Sequence, residues 1–214
     1  MKKTAKAAGE VAVKALLDKY ACPVPFHRVR TTFLGQIATP QMAISPLAII
    51  KGLWGGELPV FDSIDELNAL LEALVQGLWN ELTRHQKRNQ PFRLTRTLME
   101  ESPANLGLYG RTRLEELGGF LDGLFLGADS IDLPERAHEA VMHLIELRTM
   151  MEGLCELVTR DPVDKGPAAP TTTFKHLRGL TRIMETEIHE AVLSCTRARR
   201  QMLETIPTTK PTMH

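Results

Sequence analysis

The chain has 214 residues, and its 26 Lys plus Arg balance 26 Asp plus Glu, so the formal net charge is zero. That balance argues against a uniformly basic nucleic-acid coat and against an acidic disordered tail. With 43% hydrophobic and 24% charged residues the composition is that of a globular chain with a real core, and with only 5% aromatic residues that core is expected to be mainly aliphatic.

Residues 1–20 read as an amphipathic helix, because Glu10, Lys14, Asp18 and Lys19 interrupt any run that could serve as a signal-peptide core. The following CPVPFHRVR carries Pro23 and Pro25, each of which disfavours helix in the residue before it, so an extended arm is predicted here. Ser45 before Pro46 is a good helix start, and the short helix it opens ends near Trp54 at Gly55-Gly56.

Ser63 with Glu66 forms a capping box. Behind it Leu67, Leu70, Leu71, Leu74, Leu78 and Leu82 recur at three- and four-residue steps, which predicts a long amphipathic helix. A short helix around Leu94 to Glu101 is expected before a turn at Ser102-Pro103. From Arg111 the apolar residues again take helical spacing as far as Gly127. Asp132 and Pro134 open the next helix, with the stripe Ala137, Val141, Leu144, Ile145, Met151 and Leu154. DPVDKGPAAP reads as a linker, since its prolines and glycine can continue neither a helix nor a sheet.

No stretch combines period-two alternation with β-branched enrichment, so the class is all-α: one helical bundle of about six helices. The expected organisation is an N-terminal helix and extended arm (1–30), a helical core (31–160), a Pro/Gly linker (161–173), a C-terminal helix (174–206) and a disordered tail (207–214). The longest apolar run, 117–128, holds Asp122 and is too short to span a bilayer. Cys22, Cys155 and Cys195 lie far apart without metal-ligand spacing, which fits a reducing cytoplasm.

One internal similarity stands out. Lys51-Gly52-Leu53-Trp54 followed by Asp62-Ser63-Ile64-Asp65 parallels Asp122-Gly123-Leu124-Phe125 followed by Asp129-Ser130-Ile131-Asp132. A pseudo-two-fold repeat with a groove at its interface is one reading; recurrence of a good helix cap is the other.

The blocks SPLAIIKGLWGG, LWNELTRH and LEELGGFLDGLFLG, in that order, resemble those of the YecA/YgfB-like bacterial proteins over about residues 45–157. The resemblance implies a cytoplasmic all-helical protein of unassigned biochemical activity. The cysteine-rich metal-binding tail of some longer relatives has no counterpart after Cys195.

Gly119, Gly123 and Gly127 fall at i, i+4 and i+8 and leave one helix face bare, a feature expected either to dock a partner or to pack internally on the helix bearing Gly52. Trp54 and Phe125 occupy matching places beside these glycines. Lys51 and Asp122 correspond in the repeat and form a candidate charge pair, the alternative being independent solvation. For a metal, the weak candidates are Glu81, His85, Glu135 and His138, of which only Glu135-x-x-His138 has the spacing used in helical-bundle metal sites.

No nucleophile, base and orienter assemble, so no catalytic residue and no cofactor is assigned. The terminal helix carries Arg197, Arg199 and Arg200, but Glu185, Glu187 and Glu190 interrupt any basic patch, which makes nucleic acid an unfavoured partner. Its apolar stripe suits either the bundle or a second subunit in a homodimer. The leading expectation is a non-enzymatic protein that binds another protein or itself and no membrane. A metal-dependent helical-bundle enzyme and weak nucleic-acid binding through the last helix are the alternatives. The net charge of zero is itself a cancellation: residues 1–60 carry 8 basic and 3 acidic side chains, 61–160 carry 10 and 17, and 161–214 carry 8 and 6.

Overall fold

A computed structural model describes residues 2–41, 45–97, 100–160 and 170–205; most of the expected linker and the whole of the expected tail lie outside them. Among the described residues there are helices and connections and no strand. The helices are α1 (Lys2–Lys19), α2 (Phe26–Ala38), α3 (Pro46–Gly52), α4 (Ile64–Leu71 with its continuations below), α5 (Pro103–Phe125), α6 (Glu135–Arg160) and α7 (Pro170–Thr205). No described helix is long and apolar enough to cross a membrane.

α2 corrects the expected extended arm, and the boundary drawn between residues 30 and 31 falls inside it. Pro23 and Pro25 hold off the helix only as far as Phe26, because Pro25, itself extended, occupies the cap position and its carbonyl accepts from Arg28 and Val29. Once started, Val29, Phe33, Leu34 and Ile37 form a buried stripe with helical spacing. α2 is thereby the central helix of the fold, packed on α4, α5 and α7.

α5 crosses α2 at close range and begins at Pro103, eight residues before the expected start. The expected short helix at 94–101 is absent from 91–97, which form an irregular segment, and Leu98 and Met99 lie outside the described residues. α5 ends where Leu126 and Gly127 both adopt left-handed conformations, with the Leu126 N–H donating to the Asp122 carbonyl at 2.9 Å.

α6 and α7 complete the bundle. Gly107 of α5 lies against Val158 and Gly110 against Leu154 and Cys155, so α5 and α6 run antiparallel. Arg136 near the start of α6 reaches Glu187 and Glu190, whereas the Tyr109–Gly110 stretch of α5 that meets Leu154 and Cys155 also meets Phe174 and Thr181 near the start of α7, which makes α6 and α7 antiparallel too. The terminal helix packs within its own chain: Phe174, Leu177, Met184, Ile188, Val192 and Cys195 are all buried. Pro170 stands at its first position, where a missing N–H costs nothing.

α4 has an unusual build. Leu70, Leu74, Leu78 and Leu82 are all buried although a strict four-residue spacing drifts by about 40° per step around an α-helix. The chain compensates with a π-helical stretch over Glu72–Trp79 before returning to α over Asn80–Thr83 and a 3₁₀ turn over Arg84–Gln86. The wider i→i+5 turn reverses the drift and holds the four leucines on one line. α1 packs on this helix, with Val13 and Leu17 buried. It is tied there by Lys19 to Glu66 at 2.7 Å and by the edge-on contact of Tyr20 with Phe61 at 4.9 Å.

The expected internal repeat has no structural counterpart. Asp62–Asp65 does open a helix: the Ser63 hydroxyl accepts from Glu66 N–H, and the Glu66 carboxylate accepts from Asp62 N–H at 3.2 Å. Asp129–Asp132 does not, because Pro134 delays the helix to Glu135. The two glycines of the repeat also differ, Gly52 facing open space and Gly123 pressed on a neighbouring backbone.

Candidate functional site

The glycine face of α5 meets α2 rather than the helix bearing Gly52. A Cβ on Gly119 would lie 2.6 Å from the Thr31 hydroxyl and 2.8 Å from the Arg28 carbonyl oxygen, and one on Gly123 would lie 2.1 Å from the Thr32 carbonyl oxygen. From the other side, a Cβ on Gly35 would meet the Phe120 carbonyl at 2.2 Å. The two helices touch backbone to backbone, which leaves Gly119 and Gly123 no surface to offer a partner. Gly127 is a helix terminator with φ +77°, outside that face. Phe125 packs half-buried on the core, and Trp54 is half-buried with its indole N–H donating to the Tyr20 carbonyl at 2.9 Å, which fastens α1 to the end of α3.

The carboxylate of Asp122 is taken by Arg28 of α2 at 2.8 Å, on a surface where both side chains are well exposed, while Lys51 is exposed on α3. The partner of Asp122 is thus Arg28 on α2 rather than Lys51. The four metal candidates do not converge. Glu81 pairs with Arg84 at 2.8 Å, His85 is buried with Nδ1 2.8 Å from the Gln90 carbonyl, and Glu135 and His138 are exposed at the start of α6. Among the described residues no three His, Cys, Asp or Glu gather in a metal-binding arrangement.

Two features that no sequence motif announces lie around the irregular segment 91–97. The first is a buried polar clamp. Arg113 and Glu116, one turn apart on α5, form an ion pair from which water is almost excluded. Glu116 accepts from the Thr95 N–H at 2.7 Å, and Arg113 donates to the Thr95 carbonyl at 2.7 Å and to the Thr181 hydroxyl at 3.1 Å. Arg113 also lies over the Tyr109 ring at 4.9 Å. Next to it, Glu185 of α7 pairs with Arg93 at 2.5 Å and accepts from Leu94 N–H at 3.1 Å. Every charge here is paired and hydrogen-bonded, the condition under which burying charge is tolerated.

The second is a cleft of about 630 Å³ between α1, the start of α2 and residues 93–96. Leu17, Val24, Phe26 and Leu94 supply an apolar lining, and Lys14, Arg30, Arg93 and Arg96 supply cations, against Glu10 and Asp18. His27 at one end holds Glu115 of α5 at 2.5 Å. Cys22 also borders the cleft, but its thiol is directed to the Leu53 carbonyl at 3.8 Å and burial pushes its pKa up, so it supplies no thiolate nucleophile. These cations come from three separate parts of the sequence and share no motif.

A third surface is apolar. Along the outer side of α6, Met142, Ile145, Met150 and Leu157 stand in solvent, with Glu146 and Glu156 exposed among them. Comparison with known proteins finds no matching family model, no matching curated protein and no matching solved structure.

Proposed function

We propose that this chain is a non-enzymatic, YecA/YgfB-like helical protein of the bacterial cytoplasm that acts by binding another protein on the outer side of α6. The observation that carries this reading is the exposure of four large apolar side chains on one helix: Met142 at 45%, Ile145 at 40%, Met150 at 56% and Leu157 at 68%. At 100° per residue Met142, Met150 and Leu157 fall within about 80° of one another, so they form a stripe rather than a scatter. Exposed apolar residues that line up in this way mark interaction sites, and methionine adapts well to a partner's shape. The neighbouring Glu146 and Glu156 select the partner's chemistry, a helix with one apolar and one basic face.

A titration with two synthetic helical peptides tests the reading. A Lys/Leu amphipathic peptide is expected to bind the native chain, its Glu/Leu counterpart to bind at least tenfold more weakly, and the Met150→Gln/Leu157→Gln variant to lose the Lys/Leu peptide with its helix content intact. Equal binding of both peptides, or binding unaffected in the variant, would overturn it.

A further inference from the structure

The cleft beside α1 holds a charge that the fold leaves poorly matched. The Arg30 side chain is only 11% exposed, and its guanidinium lies over the ring of the fully buried Phe92 at 5.1 Å. Its nearest carboxylate, on Glu10, stands 4.0 Å away, its one hydrogen bond, to the Arg93 carbonyl, is 3.5 Å long, and its Nε is buried with no partner. Other arginines around segment 91–97 are matched closely, Arg93 by Glu185 and Arg113 by Glu116. A guanidinium taken largely out of water and held only by long contacts is costly, and the cost falls when an anion comes within hydrogen-bond range. Two further cations, Lys14 and Arg96, border the same space, are exposed, and form no ion pair among the described residues.

The same lining carries Leu17, Val24, Phe26 and Leu94 beside the carboxylates of Glu10 and Asp18, and the volume of about 630 Å³ lies in the range of small-molecule sites, about 300–1,000 Å³. Three cations and four apolar side chains lining one cleft suit a ligand with a charged end and an apolar body. We propose that this cleft binds a small amphipathic oxyanion, its phosphate or carboxylate held by Arg30, Arg96 and Lys14 and its apolar part lying against Leu17, Val24, Phe26 and Leu94. Arginine suits either group, because its planar fork meets two oxygens at once. This site lies on α1, α2 and segment 93–96, and it stands or falls independently of the α6 surface.

The experiment is a calorimetric titration of the full chain with phenyl phosphate, phenylacetate and the neutral benzyl alcohol. Saturable binding is expected from the anions and none from benzyl alcohol, and the tighter of the two anions identifies the charged group. Lys14→Gln/Arg96→Gln, both changes on exposed side chains that the core does not use, is expected to weaken binding tenfold or more with an unchanged circular dichroism spectrum. Arg30→Gln is expected to abolish it; should that variant fail to fold, the exposed double variant still decides. Equal binding of benzyl alcohol, unchanged affinity in the double variant, or no saturation by either anion at millimolar concentration would each overturn the proposal.

Discussion

Gly123 of α5 sits directly beneath the carbonyl oxygen of Thr32 on α2, so closely that a methyl group there would have to lie 2.1 Å from that oxygen. Backbone cannot yield as a flexible side chain can, so Gly123→Ala must push the two helices apart or break the helix locally. The expected loss is about 3 kcal/mol in urea unfolding, at the upper end for overpacking. Gly179→Ala is the matched control. Nothing lies within 4 Å of a Cβ there, and the variant should gain up to about 1 kcal/mol from helix propensity. Two changes of equal sign would show that the close crossing of α2 and α5 does not constrain stability.

Glu116→Ala leaves Arg113 buried without its carboxylate and frees the Thr95 N–H at the same time. Removing one partner of a buried pair costs about 3–5 kcal/mol, whereas replacing both by apolar groups of similar size is often neutral. Arg113→Met/Glu116→Leu should therefore recover much of the loss, less the hydrogen bonds that Thr95 no longer makes. Chemical denaturation of the single and double variants checks this; a double variant as unstable as Glu116→Ala would refute it.

Cys195 is buried between α7 and the core, and desolvation pushes its thiol pKa from an ordinary 9.0 up to about 12. Below about pH 8 the thiol is protonated in both folded and unfolded chains, so it makes no pH-dependent contribution. From there towards pH 12 the unfolded chain loses the proton and the folded chain keeps it, so stability falls as pH rises. Cys195→Ala should show a shallower alkaline decline than the native chain in denaturant midpoints measured from pH 8.5 to 10.5. Parallel curves would contradict the assignment.

Trp54→Phe removes the indole N–H that satisfies the Tyr20 carbonyl at the end of α1. Such a bond contributes about 1 kcal/mol net, and its loss falls on the attachment of α1 rather than on the bundle. Amide exchange in residues 9–20 is expected to speed up several-fold, while exchange in α5 and α6 stays unchanged. Uniform acceleration across the chain would mean that α1 and the bundle unfold as one unit.

The helices that could be read from sequence are those whose signals are local. α4 announces itself through Ser63, Glu66 and its line of leucines; α6 and α7 do so through apolar stripes. α2 is masked by Pro23 and Pro25, whose local preference for extended backbone ends at Phe26, and Thr31, Thr32 and Gly35 lie where α5 passes against it. The glycines of α5 were legible as a packing surface, yet their partner was not, since nothing in Gly52 distinguishes an exposed helix end from a contact. Arg113 and Glu116 look like any surface i,i+3 pair until segment 91–97 covers them. Lys14, Arg30 and Arg96 share a cleft only through the tertiary arrangement of three segments, which no spacing rule reports.

The clamp holds Thr95 entirely by its peptide group: one main-chain N–H and one carbonyl, with no part played by the threonine side chain in these two bonds. Residue type at that position is therefore nearly free to drift, while the reader of the peptide, Arg113-x-x-Glu116, is not. Distant kin sharing this architecture would betray themselves by an arginine and a glutamate one turn apart under a crossing segment whose own letters had become unrecognisable.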